Sequence, residues 1–274
     1  MVSARRFASD EPALFKSTVD FIRHFSKVPD PVVAVSSRES DVSAKIAWTL
    51  LGTTLFQGID YPAFVSVLSA LQKQFPGDRL WNLPVPSVKE IQSCAESALE
   101  GYEWKLLPDV PGIFWSVGLF VRRHGNMLEW LNSRTPEGIW RDLGEIYFVG
   151  KGNPRPKACA AIYRLLIPAP IGLGLDCASP KRPAPLPLTM GARRFLAMLG
   201  PARDDSFADL EPEKKQKMLD DYCKILSPDC PYVAAHALQF YLEWGKNDFI
   251  CRESTCRCAK CPLYEHCNNA VRHD

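Results

Sequence analysis

Phe249-Ile250-Cys251-Arg252-Glu253-Ser254-Thr255-Cys256-Arg257-Cys258-Ala259-Lys260-Cys261-Pro262-Leu263-Tyr264-Glu265-His266-Cys267 packs five of the chain's ten cysteines into seventeen residues, with Lys and Arg interleaved. So short and polar a segment cannot bury a core of its own, which points to a metal centre. Cys251, Cys258, Cys261 and Cys267 form C-x6-C-x2-C-x5-C, a tight loop able to wrap four thiolates around one compact centre. A [4Fe–4S] cluster and tetrahedral zinc both accept such ligands. Zinc modules more often join two CxxC pairs across a longer insert, whereas one CxxC with single cysteines on either side favours the cluster. Zinc and, below it, disulfides stand as the alternatives. Cys256 is left over, as a bystander thiol or an alternative ligand.

Outward from this loop the chain reads as helix after helix. Strand-like alternation is nearly absent, and amphipathic stretches recur at Glu11 to Phe25, Asp41 to Phe56, Tyr61 to Phe75, Glu211 to Leu226 and Tyr232 to Trp244. Ser87-Val88-Lys89-Glu90 is a capping box, and Thr135-Pro136 opens a helix ending near Leu143. His236 reads as a packed, hydrogen-bonded residue within an apolar stripe rather than as a catalyst. With 274 residues, 46% hydrophobic and a net charge of +2, the chain can bury one sizeable core or two modest ones and is not a polycation. No apolar run of membrane length occurs, and Met1 to Asp10 lacks a signal core, so the expectation is a soluble, non-exported protein. Cys94, Cys159, Cys177, Cys223 and Cys230 are scattered singly, as inert packing residues are.

A second informative stretch is Ile146-Tyr147-Phe148-Val149-Gly150-Lys151-Gly152-Asn153-Pro154. Two glycines two residues apart permit a sharp turn and a close backbone approach. Asn153 then caps, and Pro154 begins, the helix running through Lys157. Helix, hairpin and helix would turn backbone N–H groups toward an anion, ideally a DNA phosphate. From Ile146 to Ala202 there are eight basic residues against a single acid, Asp176. Such segregation suits a polyanion, although a solvated basic face would look the same. Pro168 to Pro187, rich in Pro and Gly and without periodicity, reads as a functional or disordered insertion.

These markers together resemble the endonuclease III group of helix-hairpin-helix DNA glycosylases. Leu51 to Asp60 looks like that family's early helix and turn, where Gln57 would enter the DNA stack beside the extruded nucleotide. Phe148 to Gly152 resembles the hairpin, Leu188 to Gly200 the helix after the catalytic loop, and the cysteine loop closes the series. The resemblance implies an all-α fold, a six-helix barrel domain plus an iron–sulfur cluster domain built from both chain ends. Residues 1–40 would pack with the cluster domain, 41–167 would form the barrel with its hairpin at 146–154, 168–187 the loop, and 188–274 the last helices and the cluster. Its implied partner is double-stranded DNA, bound by a monomer without a membrane. Contacts would come from Gln57, Gly150, Lys151, Gly152, Arg252 and Arg257. The implied location is the cytoplasm and nucleoid, or the nucleus of a eukaryote.

At two positions the sequence departs from that family. The aspartate expected before the helix carrying Arg194 is Thr189, whose hydroxyl is a poor substitute for a carboxylate facing cationic sugar. Bifunctional members place a Lys two residues past the second hairpin glycine, where this chain has Pro154. Lys157 or Lys151 could instead supply an amine for a Schiff base with C1′ of the sugar, or either could contact phosphate. Asp176 is the one carboxylate in the basic region that could replace the missing one. The expected function is therefore excision of a damaged or mispaired base, with possible strand scission through Lys157. A catalytically silent DNA or lesion reader of the same fold is the main alternative. A redox carrier unrelated to DNA is a third, and it predicts no salt-dependent duplex affinity.

Overall fold

A computed structural model describes residues 4–150, 155–176, 184–201, 207–241 and 261–267. It is all-α: thirteen α-helices and several short 3-10 turns, and no strand among the described residues. None of these helices is long and apolar enough to cross a membrane. By internal packing the chain divides into two units, residues 29–184 and a second unit made of 1–28 together with 185–274. The boundaries of these units lie at 28/29 and 184/185, against the 40/41 and 167/168 expected from the sequence.

Residues 29–184 contain α3 (Pro31–Ser36), α4 (Val42–Leu55), α5 (Tyr61–Gln74), α6 (Val88–Leu99), α7 (Val110–His124), α8 (Met127–Asn132), α9 (Pro136–Asp142) and α10 (Pro156–Leu166), after α1 (Ala4–Asp10) and α2 (Pro12–Phe25) of the other unit. Helix α4 is the centre. It packs against α3, α7, α8 and α10, so Ile46, Ala47, Trp48, Leu50, Leu51 and Leu55, which together leave no polar stripe, are all buried. Asp41 opens it by accepting the Ala44 amide at 2.7 Å. The capping box of α6 forms as read: Ser87 Oγ accepts from the Glu90 amide at 3.2 Å and Glu90 returns a bond to the Ser87 amide at 2.7 Å. Hydrogen bonding to the carboxyl from the Ser87 amide first, and from the Ser87 hydroxyl second, holds Glu90 below its ordinary pKa. On α7, a Cβ at Gly118 would fall onto the Leu80 carbonyl oxygen, so only glycine lets that loop lie on the helix.

Three sequence readings need correction. Helix α10 begins at Pro156 rather than Pro154; Arg155, just before it, is extended at φ −101° and ψ 92°, as a residue preceding proline prefers. Asn153 and Pro154 themselves lie outside the described residues. The last helix stops at Leu238 rather than Trp244, because Gln239, Phe240 and Tyr241 turn to i→i−3 bonds that tighten the chain. The Pro/Gly-rich loop is partly built into the core: the Leu173, Gly174 and Leu175 amides donate to the carbonyls of Arg164, Ile167 and Leu165 at 2.8–2.9 Å, folding 168–175 back over the end of α10. Helices α1 and α3 were not anticipated.

The other unit joins α1 and α2 to α11 (Met190–Met198), α12 (Pro212–Leu226) and α13 (Pro231–Leu238). Its core is aromatic. Phe25 stacks on Phe240 at 5.2 Å, and Tyr241 sits edge-on to Phe195 at 5.3 Å and to Phe21 at 6.5 Å. His236 is the packed histidine expected: buried, with Nε2 3.1 Å from the Val28 carbonyl oxygen and Nδ1 2.8 Å from the Gln239 amide nitrogen. Cys223 is fully enclosed and burial drives its thiol pKa far up, which leaves it inert.

Candidate functional site

In residues 29–184, α10 carries two cations seven residues apart, Lys157 and Arg164, and both reach the last turn of α4. The Nζ of Lys157 donates to the carbonyl of Thr54 at 3.1 Å and to that of Phe148 at 2.8 Å, with the Phe148 ring 5.5 Å away. No carboxylate pairs with it among the described residues. Burial lowers its pKa from 10.5 to about 8, so at pH 7.5 about a quarter of the amine is neutral. A neutral amine keeps two N–H bonds, and two carbonyls here accept them, which leaves the nitrogen lone pair as its open direction.

Phe148 itself is unusual. Its φ is +68°, a left-handed conformation costly for a bulky side chain. The turn is over-determined: Val149 donates to the Ile146 carbonyl at 3.2 Å, the Tyr147 amide donates to Ser116 Oγ at 2.8 Å, and Lys157 takes the Phe148 carbonyl. Gly150 follows at φ +99°, exposed and with open space where a Cβ would be. The sequence-predicted hairpin thus has its entry described, while Lys151 and Gly152 lie outside the described residues.

Beyond α4 runs the turn that holds Gln57. The Gln57 amide donates to Leu55 O at 2.7 Å, and its carbonyl accepts the Trp104 indole N–H at 2.9 Å. The Phe56 ring is 4.5 Å from that of Phe64, and the Arg164 guanidinium is 5.9 Å from it. Gly58 has φ +61°, and Asp60 donates its amide to the Tyr102 hydroxyl at 3.2 Å while capping α5. Gln57 is half-buried, and its side chain makes no hydrogen bond among the described residues. Arg164 and Asp30 form a bidentate pair at 3.0 and 2.9 Å, 4% and 0% exposed, and Arg164 also reaches Thr53 Oγ1 at 3.3 Å. Asp30 doubles as the cap of α3, accepting from Val32 and Val33. Asp30-Pro31 is an N-cap signature that could have revealed that helix; the Trp104 and Arg164 contacts carry no local signal.

Thr189 and Asp176 fall in different units. Thr189 caps α11, its hydroxyl accepting the Ala192 amide at 3.2 Å. Asp176 is exposed and makes no ion pair among the described residues. In the cysteine loop, Cys261 and Cys267 bracket the turn Tyr264–His266. Cys267 is buried, with its sulfur 3.6 Å from the Tyr241 hydroxyl. These two thiols on one short loop are the described members of the expected ligand set, and the Cys267 sulfur has the Tyr241 hydroxyl beside it. Cys251, Arg252, Cys256, Arg257 and Cys258 lie outside the described residues, and among those described no three potential metal ligands converge.

Comparison with known proteins returned no match to a family model, to a characterised protein or to a solved structure.

Proposed function

We propose that this protein binds duplex DNA and cleaves the N-glycosidic bond of a damaged or mispaired nucleotide, with Lys157 as the amine that attacks C1′ of the sugar. The finer architecture belongs to the same proposal: a helix-hairpin-helix glycosylase fold, with a six-helix barrel and a [4Fe–4S] cluster held by Cys251, Cys258, Cys261 and Cys267. The observation that carries the reading is the half-buried Lys157 amine, lowered to about 8 beside the Gly150 turn and offering one open direction. Its lone pair would form the N–C1′ bond as the base departs with the electrons of the broken bond. The base takes up the proton the amine loses, and the N-glycosyl amine so formed would open its C1′–O4′ bond, O4′ gaining a proton, to give the Schiff base from which the 3′ phosphate can leave by elimination. When bound, the cluster supplies a rigid cross-link that shapes the loop carrying Arg252 and Arg257 toward phosphate.

A silent reader of DNA lesions is the second reading. The Thr189 hydroxyl favours it, being already committed to the Ala192 amide, so that the position expected to supply a carboxylate supplies a helix cap.

Borohydride trapping on a duplex bearing an abasic site separates the two. The catalytic reading expects a covalent adduct that is absent in Lys157→Ala; tight, salt-sensitive binding with no adduct and no base release selects the silent reader. Iron and acid-labile sulfide in brown protein support the cluster, and colourless protein carrying zinc removes it.

A further inference from the structure

We propose that Trp104 and Arg164 are positioning residues for Gln57, holding the turn between α4 and α5 rigid so that the Gln57 side chain alone is left to enter a DNA duplex. This inference rests on the DNA-binding reading above and adds the machinery behind the contact. The backbone of Gln57 is tied on both sides, by its own amide to Leu55 and by its carbonyl to the Trp104 indole, and Trp104 is itself only 4% exposed. Its preceding neighbour Phe56 packs against the Phe64 ring and has the Arg164 guanidinium over its own ring. Arg164 cannot drift, because Asp30 grips it with two oxygens and Thr53 takes a third bond. Two residues further on, Ile59 is buried at 7% exposure, which anchors the far side of the turn.

An ordinary surface turn between two helices needs none of this. A buried Arg–carboxylate pair gives no stability that a well-packed apolar pair could not match, so geometry is the better account of its presence. The yield of that geometry is a fixed backbone carrying one unbonded polar side chain. A glutamine in that state can fill the space of an extruded base and hydrogen-bond to the nucleotide left behind, without losing backbone entropy on binding.

Affinities of the full-length protein for an undamaged duplex and for the same duplex with one abasic site give a discrimination ratio, measured for wild type, Gln57→Ala, Trp104→Phe and the double variant. Trp104→Phe keeps an aromatic side chain and removes the N–H together with the five-membered ring that bears it. The expected result is a ratio reduced about fivefold in Trp104→Phe, with affinity for undamaged duplex unchanged and the helical fold retained. The double variant should lose no more than Gln57→Ala, the signature of two residues acting as one. Thr53→Val, which removes only the third bond to Arg164, should lower the ratio by a smaller factor. Should Trp104→Phe lose stability, Thr53→Val alone decides. A ratio that falls in Gln57→Ala but stays at the wild-type value in the folded Trp104 or Thr53 variant overturns the positioning role and leaves the DNA-binding reading intact. A wild-type protein with no salt-dependent duplex affinity overturns both.

Discussion

Lys157 and Arg164 lie on one face of one helix, two turns apart, and both are drawn out of water against the end of α4. Arg164 meets a carboxylate at two points and is almost entirely enclosed. Lys157 meets only carbonyl oxygens and is half-buried. The difference follows from solvation. A guanidinium keeps its proton in any protein interior, and paired with a buried anion it is structural, whereas an ammonium taken out of water and given dipoles alone has its proton loosened. Helix α10 therefore holds one cation that locks and one amine whose proton is loosened.

The largest expected effect comes from breaking the locked member. Arg164→Ala leaves Asp30 buried without its counter-charge, and denaturant unfolding should show a loss of about 3–5 kcal/mol. If unfolding shifts by less than about 1 kcal/mol, water reaches Asp30 and the contrast between the two cations disappears.

The open member should behave differently. Lys157→Met strands two carbonyls but no charge, so its stability cost is expected at about 1–2 kcal/mol, while adduct formation is abolished. Titration sharpens the point. The folded pKa lies near 8 and the ordinary value is 10.5, so between these pH values the unfolded chain binds more protons than the folded one. Stability contributed at this site therefore rises as pH climbs from 8 toward 10.5, and the rise should vanish in Lys157→Met. Rates of trapping should climb through about pH 8 and level off above it. A pH profile that is flat from 7 to 9 would remove Lys157 as the nucleophile.

Smaller effects extend the same rule to polar groups whose partner is already chosen. Thr189→Ala removes the α11 cap and should cost about 1 kcal/mol. Thr189→Asp keeps a capping oxygen and adds a carboxylate, so thermal stability should hold while base release from a damaged duplex increases. No gain would argue that this position lies away from the sugar. Gly150→Ala should cost about 1–2 kcal/mol, because the backbone at φ +99° opposes a side chain although no neighbouring atom meets the new methyl.

Periodicity and caps were legible in the sequence. Ser87 and Thr135, read as helix starts, cap α6 and α9 through their side-chain oxygens, while Asp41, Asp60 and Thr189 cap α4, α5 and α11 without having been read as caps. The short α3 escaped because six residues give no period, although Asp30-Pro31 marks its start. At the candidate site, Lys157 and Gln57 were legible as residue types beside glycine turns. Their surroundings were not. Thr54 is 103 residues from Lys157 and Trp104 is 47 from Gln57, and nothing local in either stretch announces its partner.

By itself, then, the chain's amino-acid order determined that it is helical, where most helices begin, and which thiols could share a metal. Those properties depend on neighbours within a turn or a short loop, where spacing is geometry. Tertiary structure alone decided that the Lys157 amine is drawn out of water against two carbonyls with no carboxylate beside it, while Arg164 meets Asp30 across the core. Desolvation and charge pairing act through space, and their range is set by the packed interior rather than by distance along the chain.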